Sequence, residues 1–144
     1  RIAPRPCFPL ADVQAYDRPF FPGSREAFLT HWLVQPQSTA LCIRDENGQL
    51  AGYGVVRTCR LGHKIGPLLA DTPQLAQRLF LALKAHTPAE TPIFLDVPEV
   101  NPAAVALAER HGMTPMFETA RMYAGTPPHL PLSRLFGVTT FELG

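Results

Sequence analysis

The sequence predicts an α/β domain in which helices cover both faces of a mixed, mostly antiparallel sheet. Three observations lead to this prediction. An Asn-Gly pair at residues 47–48 separates two strand-like segments, which is the strongest short signal for an antiparallel hairpin. Two later helical segments start at Thr72 and Asn101, and each of these residues is followed by proline. Both helices follow strand-like segments, so strands and helices alternate in the second half of the chain.

The size and charge of the chain limit its partners. Its 144 residues, 46% of them hydrophobic, suit a single domain over residues 1–144 with one sizeable core. A formal net charge of +1, with scattered Lys and Arg, gives no electrostatic footprint for nucleic acid. No apolar run approaches the roughly 20 residues of a membrane span, and no signal peptide opens the sequence. We therefore expect a cytoplasmic protein that binds neither nucleic acid nor membrane.

The cysteines and histidines give no sign of a metal site. Three cysteines, without C-x-x-C spacing, argue against a disulfide framework or a zinc knuckle, and we expect reduced, mostly buried thiols. The five histidines form no H-x-x-x-H pair and no tight cluster with acidic residues. We expect no metal ion.

The N-terminal third is predicted to begin with a docked segment and a helix. Residues 1–23 are rich in proline and aromatic side chains, with at most a short helix at residues 10–16, and we expect them to dock on the domain. Ser24 stands where an N-cap belongs, and apolar residues then recur at helical spacing. Residues 25–34 are therefore predicted to form an amphipathic helix.

The middle of the chain is predicted to form three strands. Residues 39–44 and 49–59 form the hairpin around the turn at residues 45–48. Residues 63–70 form the next strand of the sheet. Because Pro67 cannot donate to a strand ladder, this strand must have an edge or a break at that residue.

The second half supplies the two capped helices and three further strands. Thr72 is the predicted N-cap of a helix with an apolar face, and residues 93–97 suit a buried strand. Residues 101–112 contain a complete set of helix boundaries, with Asn101 as N-cap and Gly112 just past the end. Residues 113–125 and 136–144 supply the last two predicted strands, separated by a proline-rich loop.

The stretch "NPAAVALAERHGM" carries a resemblance to a known family. It resembles the pattern N-x-x-A-x-x-L-Y-x-x-x-G-F of the GNAT superfamily of acyl-CoA-dependent N-acetyltransferases, and the resemblance extends in outline from Ser24 to the C-terminus. Asn101, Ala104, Leu107 and Gly112 fall on the pattern, while Met113 takes the place of the aromatic residue. The resemblance implies a GNAT fold, whose sheet is splayed between two central parallel strands.

Three other segments resemble sequences of a bacterial subgroup in which the domain is part of a longer protein. These segments are "GYGVVR", "KIGPLLAD" and "ARMYAG". The subgroup often has two such domains, and the domain is often its C-terminal part. A chain that begins at Arg1 rather than Met agrees with a trimmed chain or with such a part. We therefore expect a second GNAT domain or a homodimer as a possible partner.

The resemblance also implies a site for acetyl-CoA. Backbone groups freed by the splay would pair with the pantetheine arm as an added strand would. The start of the next helix would offer N–H groups and its positive dipole end to the pyrophosphate. The expected cofactor-binding residues are Leu68, Leu69, Ala70, Thr72, Gln74, Leu75, Ala76, Asn101 and Ala104.

The phosphate-binding turn departs from the family pattern. Of the usual Q/R-x-x-G-x-G/A, only the final alanine is matched by "DTPQLA" at residues 71–76. Pro73 has no N–H to donate, and Asp71 places a like charge beside the expected phosphate. We expect a weaker or rearranged grip on the cofactor.

The catalytic groups are less well marked. Ala108 stands where the family often has a tyrosine that protonates the leaving thiolate. Tyr123 is the nearest replacement in sequence, although a strand tyrosine is more often simply packed. Asp96 interrupts an apolar run and is either a base near the splay or a carboxylate tied by hydrogen bonds to its neighbours.

Two functions follow from these patterns. The first is an enzyme that moves an acetyl group from acetyl-CoA to a primary amine, on a small molecule or a polypeptide, by direct attack. The second is a non-catalytic GNAT-like module that forms the structural or substrate-binding half of a larger protein. The enzyme is the leading hypothesis, because "GPLLADTP" is followed at the family's spacing by "NPAAVALAERHG". The missing glycine turn, Ala108 and a sequence that begins at Arg1 rather than Met motivate the second.

Overall fold

The structure is a computed structural model that describes residues 2–3, 10–20, 32–33, 35–98, 100–113 and 131–138. The strands in these ranges are β1 (Ile2–Ala3), β2 (Ser38–Arg44), β3 (Leu50–Cys59), β4 (Gly62–Ala70), β5 (Ile93–Leu95) and β6 (Leu135–Gly137). The α-helices are α1 (Leu10–Asp17), α2 (Pro73–Lys84) and α3 (Pro102–Arg110). No helix in the described ranges is long and apolar enough to cross a membrane.

The strands form one mixed sheet in the order β1-β2-β3-β4-β5, with β6 paired to β4 off this path. β1 to β4 pair with one another in antiparallel fashion, whereas β4 and β5 are parallel. The predicted hairpin joins β2 to β3. Its turn is closed by the Gly48 N–H, which donates to the Asp45 carbonyl at 3.0 Å, and Gly48 has a φ of +79° that suits glycine. The predicted mixed, mostly antiparallel sheet is confirmed.

Helices cover both faces of the sheet, as the sequence predicts. One apolar cluster joins the sheet to α2 and α3, and it includes Leu79, Phe80 and Leu107. A second cluster on the other face contains Val13 of α1 together with Tyr53 of β3. The core therefore has two layers with the sheet between them.

Two glycines of β3 let α2 lie close to the sheet. A Cβ on Gly54 would lie 2.7 Å from Leu83 Cδ1 of α2. A Cβ on Gly52 would lie 2.6 Å from the Leu69 carbonyl oxygen and 3.1 Å from Leu79 Cδ1. The segment "GYG" therefore provides the surface on which α2 packs against the sheet.

Several predicted boundaries differ from the structure. β5 ends at Leu95, two residues before the predicted end of that strand, and β6 begins at Leu135 rather than at residue 136. The sequence did not predict β1, a two-residue edge strand. Most of the predicted helix at residues 25–34 and of the strand at residues 113–125 lies outside the described residues, as does residue 139 onward.

We predict that Gly52→Ala lowers the free energy of unfolding by about 1–3 kcal/mol, because the new Cβ meets backbone atoms that cannot move aside easily. Urea denaturation measures this difference. Thr58→Val, at an exposed position of the same strand, is the control and should change stability by less than about 0.5 kcal/mol. Equal stability of Gly52→Ala and the parent protein would contradict the close packing of β3 on its neighbours.

We predict that His111 titrates below the ordinary histidine pKa. Burial lowers the pKa of His111, and the positive charges of Lys84 and Arg110 lower it further. Its Nε2 is enclosed without a hydrogen-bond partner among the described residues, and its ring centroid lies 4.7 Å from that of Phe80. Protonation would place an N–H in this enclosed position.

Because its pKa is lowered, His111 makes the stability of the fold depend on pH. Below the unfolded pKa of 6.5, the unfolded chain binds the His111 proton more readily than the folded chain does. The stability contributed by neutral His111 is therefore present above that pKa and is lost as the pH falls toward and through the folded pKa. An NMR titration of the ring in native protein and in urea measures both values. A native value at or above the urea value would refute the prediction.

Candidate functional site

The two central parallel strands separate soon after they begin. β4 pairs with β5 at three positions, the last of which joins Ile65 to Leu95. Immediately afterwards the register between β3 and β4 shifts, so that Gly66 and Pro67 together lie opposite Val55. This is a β-bulge, and it falls at the break that the missing N–H of Pro67 predicts. Beyond it, β4 no longer pairs with β5.

The bulge also keeps the following residues of β4 in the core. Ile65 and Leu68 both pack in the cluster beneath α2, although a regular strand would place residues three apart on opposite faces. The extra residue restores the apolar face. On the other face, the carbonyl oxygen of Gly66 accepts a hydrogen bond from the Trp32 indole at 3.1 Å.

The opening between β4 and β5 is filled by the chain's own backbone. β6 pairs antiparallel with β4, joining Leu68 to Gly137 and Leu69 to Leu135. The Val138 N–H donates to the carbonyl of Asp96, just after β5, at 2.9 Å. Residues 135–138, called the wedge strand below, therefore bridge the two diverging strands. The backbone edge expected to bind pantetheine is paired with this wedge strand at Leu68 and Leu69.

Gly137 allows the wedge strand to fit. A Cβ at this position would lie 2.5 Å from Leu95 Cδ1 and 3.3 Å from Leu68 Cβ. Real Cβ atoms hardly ever approach other atoms so closely, so a larger residue would have to move one of these side chains.

Asn101 ties α3 to the wedge strand. Its side-chain oxygen accepts from the Ala103 N–H at 3.1 Å and caps α3, as predicted. Its amide nitrogen donates to the Leu135 carbonyl at 2.9 Å and to the Ser133 carbonyl at 3.3 Å. Asn101 is 3% exposed. Ala104, the other predicted cofactor residue on α3, is fully buried in the core beneath α2.

The start of α2 offers fewer free donors than the sequence suggested. Thr72 is the N-cap, and its hydroxyl oxygen accepts from the Leu75 N–H at 3.2 Å. The Ala76 N–H donates to the Thr72 carbonyl at 3.0 Å, and Pro73 has no N–H. Within the described part of the chain, the Gln74 N–H is then the backbone donor of the first turn that has no partner. Gln74 is exposed, whereas the Ala76 side chain is fully buried.

The negative charge next to this helix start is neutralised. Asp71 Oδ1 lies 3.3 Å from a guanidinium nitrogen of Arg134 and accepts from the Tyr16 hydroxyl at 2.6 Å. The same hydroxyl lies 3.2 Å from the Ala51 carbonyl oxygen. The Arg134 guanidinium is positioned over the aromatic rings of Tyr16 and Phe20, at 5.4 and 5.1 Å from their centroids. Asp71 is therefore part of a neutral cluster rather than an isolated charge.

The Tyr16 hydroxyl stays protonated in this cluster. Burial raises the pKa of Tyr16, and its hydrogen bond to Asp71 and the charge of that carboxylate raise it further, against the opposing effect of Arg134. Tyr16 thus acts as a donor that holds Asp71 and not as a titrating group.

The two predicted catalytic residues have different outcomes. Asp96 follows β5, and its Oδ2 lies 2.5 Å from Lys64 Nζ, with the two side chains 11% and 18% exposed. The contact is an ion pair without good hydrogen-bond geometry at Oδ2. Among the described residues, the carboxylate is therefore held by the charge of Lys64 rather than by hydrogen bonds to backbone or an arginine, and its role as a base stays a prediction. Tyr123 lies outside the described residues.

Sequence reasoning missed Arg134 and Tyr16. Arg134 is 63 residues from Asp71 along the chain, and Tyr16 is 55 residues from it, so no local pattern links them. The part of the chain that the structure describes contains no group of three or more His, Cys, Asp or Glu that could hold a metal ion.

Comparison with a family model identifies this architecture. The model described as an acetyltransferase (GNAT) domain matches residues 13–137, from within α1 to the end of β6. The chain belongs to the GNAT acetyltransferase domain family. The resemblance carried by residues 101–113 is confirmed at the level of the family.

Individual relatives cover the chain well but are themselves longer. Holothin acyltransferase from Pseudoalteromonas sp. (strain SANK 73390) is 24% identical over 133 residues, which are 92% of this chain and 45% of that protein. The solved structure of a candidate acetyltransferase from Pyrococcus horikoshii has a TM-score of 0.76 and 25% identity, and covers 96% of this chain and 44% of its own. The GNAT chain thus spans less than half the length of these two relatives.

A shorter protein of known structure has the same fold. The aminoglycoside 6′-N-acetyltransferase AAC(6′)-Ih from Acinetobacter baumannii matches 88% of this chain and 99% of its own with a TM-score of 0.57. At 13% identity this likeness concerns the fold alone.

We predict that Tyr16→Phe lowers the free energy of unfolding by about 1 kcal/mol, because it removes the hydroxyl that donates to Asp71 and keeps the ring beneath Arg134. Thermal or urea denaturation measures the change. Asp71→Asn is the companion variant, since it preserves an acceptor for the hydroxyl and removes the charge. An unchanged stability in Tyr16→Phe would show that the hydroxyl bond contributes nothing to holding the cluster.

Proposed function

We propose that the domain transfers an acetyl group from acetyl-CoA to a primary amine. The observation that carries this proposal is the parting of β4 and β5 after Ile65, with the capped start of α2 three residues after Leu69. Membership of the GNAT family supports it. The acceptor is an amine on a small molecule or a polypeptide. One relative is named holothin acyltransferase. An assay over a panel of amines identifies the acceptor of this chain.

Residues at the end of β4 and at the start of α2 are suited to hold acetyl-CoA. The edge of β4 opposite β3 at Leu68, Leu69 and Ala70 is the expected partner of the pantetheine arm, and in this structure the wedge strand pairs with it at Leu68 and Leu69. The Gln74 N–H and the Thr72 hydroxyl are the donors nearest the helix start for the pyrophosphate. Leu75, Ala76, Asn101 and Ala104 would contribute through the shape of the helices rather than through free polar groups.

Acetyl-CoA supplies an activated thioester to the reaction when it is bound. The amine nitrogen forms a bond to the acetyl carbon, the carbon–sulfur bond breaks, and one proton passes in net from the amine to the departing sulfur. Ala108 carries only a methyl group and cannot donate that proton. We propose Tyr123 as the donor, because it is the nearest replacement in sequence. We propose Asp96 as the proton acceptor, and its ion pair with Lys64 would first have to break.

A second function is favoured by a specific observation. The wedge strand fills the opening that a catalytic GNAT domain needs for its cosubstrate, and two of the relatives are more than twice as long as this chain. These facts support the non-catalytic module, in which this domain would serve a catalytic partner domain. Acetyl transfer by the isolated chain would exclude it.

The proposed function is tested by calorimetric titration with acetyl-CoA, followed by an assay of thiol release over a panel of amines. Saturable binding at the helix start together with amine-dependent thiol release supports the enzyme. Binding without thiol release for any amine would favour the module.

We predict that Gln74→Glu weakens acetyl-CoA binding roughly two- to fivefold while leaving the fold as stable as before or slightly more stable. The new charge repels phosphate, yet it interacts favourably with the N-terminal end of α2. This exposed position is a better probe than Ala76, whose side chain is buried. Gln37→Glu, the same change at an exposed position just before β2, is the matched control and should leave the affinity unchanged. Equal affinities of the two variants for acetyl-CoA would show that its phosphates do not bind at the start of α2.

A further inference from the structure

We propose that the wedge strand and the pantetheine arm compete for the same edge of β4, and that Asn101 is the latch that holds the wedge strand in place. This inference rests on the proposed function, since it concerns how acetyl-CoA would gain access to the site. In this structure the opening between β4 and β5 is a slot for an extended segment, and its occupant is residues 135–138.

The competition follows from the number of hydrogen-bonding edges. A strand has two such edges. β3 takes one edge of β4 through the pairs that join Gly54 to Leu68 and Tyr53 to Leu69. The wedge strand takes the other edge at the same two residues of β4. No further edge is left for an added strand at Leu68 and Leu69, so the arm can pair there only after the wedge strand has moved.

The wedge strand is held by side-chain packing on both faces. Phe136 is fully buried in the cluster beneath α2, and Leu135 and Val138 are 3% and 5% exposed in the cluster on the α1 side. The strand is therefore a packed part of the sheet and not a loosely attached end. The open form, in which the wedge strand has left β4, therefore has to be a small fraction of the population. The apparent affinity for acetyl-CoA is the affinity of the open form multiplied by that fraction.

Asn101 makes side-chain hydrogen bonds that exist only while the wedge strand is in place, in addition to the backbone bonds of the wedge strand to β4 and Asp96. It donates to two carbonyls, those of Ser133 and Leu135, at the point where the chain enters the wedge strand. When the wedge strand leaves, this amide loses both acceptors, while its cap on Ala103 is unaffected. A change at Asn101 that spares the cap should therefore act on the wedge strand alone.

Asn101→Asp is such a change. Aspartate is as good an N-cap as asparagine, and its oxygen can still accept from the Ala103 N–H. It has no donor for the two carbonyls, and its charge repels their oxygens. Gly137→Val is the second variant and acts by a different contact, because its side chain would press against Leu95 and Leu68. Gln37→Glu again provides the matched charge control.

Two measurements on the 144-residue chain and on each variant decide the proposal. Hydrogen exchange followed by mass spectrometry reports whether the backbone of residues 66–70 and 135–138 is released. Calorimetry with acetyl-CoA reports the dissociation constant. We expect Asn101→Asp and Gly137→Val to exchange faster in both segments and to bind acetyl-CoA roughly tenfold more tightly than the parent chain. Gln37→Glu should match the parent chain in both measurements.

Each other outcome overturns the proposal in a recognisable way. Faster exchange with acetyl-CoA bound equally well by parent and variants would show that the arm does not need this edge, and the proposed function would stand. Faster exchange with no binding by any of the chains would overturn both the competition and acetyl-CoA binding by this domain. Unchanged exchange in both variants would show that neither Asn101 nor Gly137 governs the wedge strand.

Discussion

The lack of an N–H on Pro67 is the constraint around which the sheet is arranged. Up to Ile65, β4 behaves as an ordinary central strand with β3 on one side and β5 on the other. At the Gly66 and Pro67 bulge the ladder is interrupted, and beyond it a different neighbour, β6, pairs with β4. A single strand therefore has two successive partners on the same edge. The separation of β4 from β5 and the position of the wedge strand both follow from this change of partner.

Charge at the end of β4 is balanced by residues from three parts of the chain. Asp71 would repel a phosphate if it stood alone, but Arg134 and Tyr16 hold it in a cluster with no net charge. Arg134 lies immediately before β6, and its guanidinium is over two aromatic rings from the first helix and the residues after it. The contacts at the start of α2 and the entry to the wedge strand are thus physically linked through one arginine.

Local signals in the sequence were sufficient for the elements but not for the site. The Asn-Gly turn and the caps at Thr72 and Asn101 depend on neighbouring residues, so they could be recognised without knowledge of the fold. An edge or a break at residue 67 was also predictable, because proline lacks a donor, but the sequence did not show that the break would be a bulge. The second role of Asn101, as a donor to Leu135, depends on a residue 34 positions away. A cap preference contains no information about such a contact.

Gly137 has a consequence for reading the sequences of related domains. Its hydrogen atom occupies the narrow gap between Leu95 and Leu68. A domain with the same strands and a bulkier residue there would have to shift the Leu95 side chain, whose Cδ1 is the nearest atom, before the corresponding strand could enter the gap. The size of this one residue therefore sets how much local repacking a domain needs in order to close the gap with its own backbone.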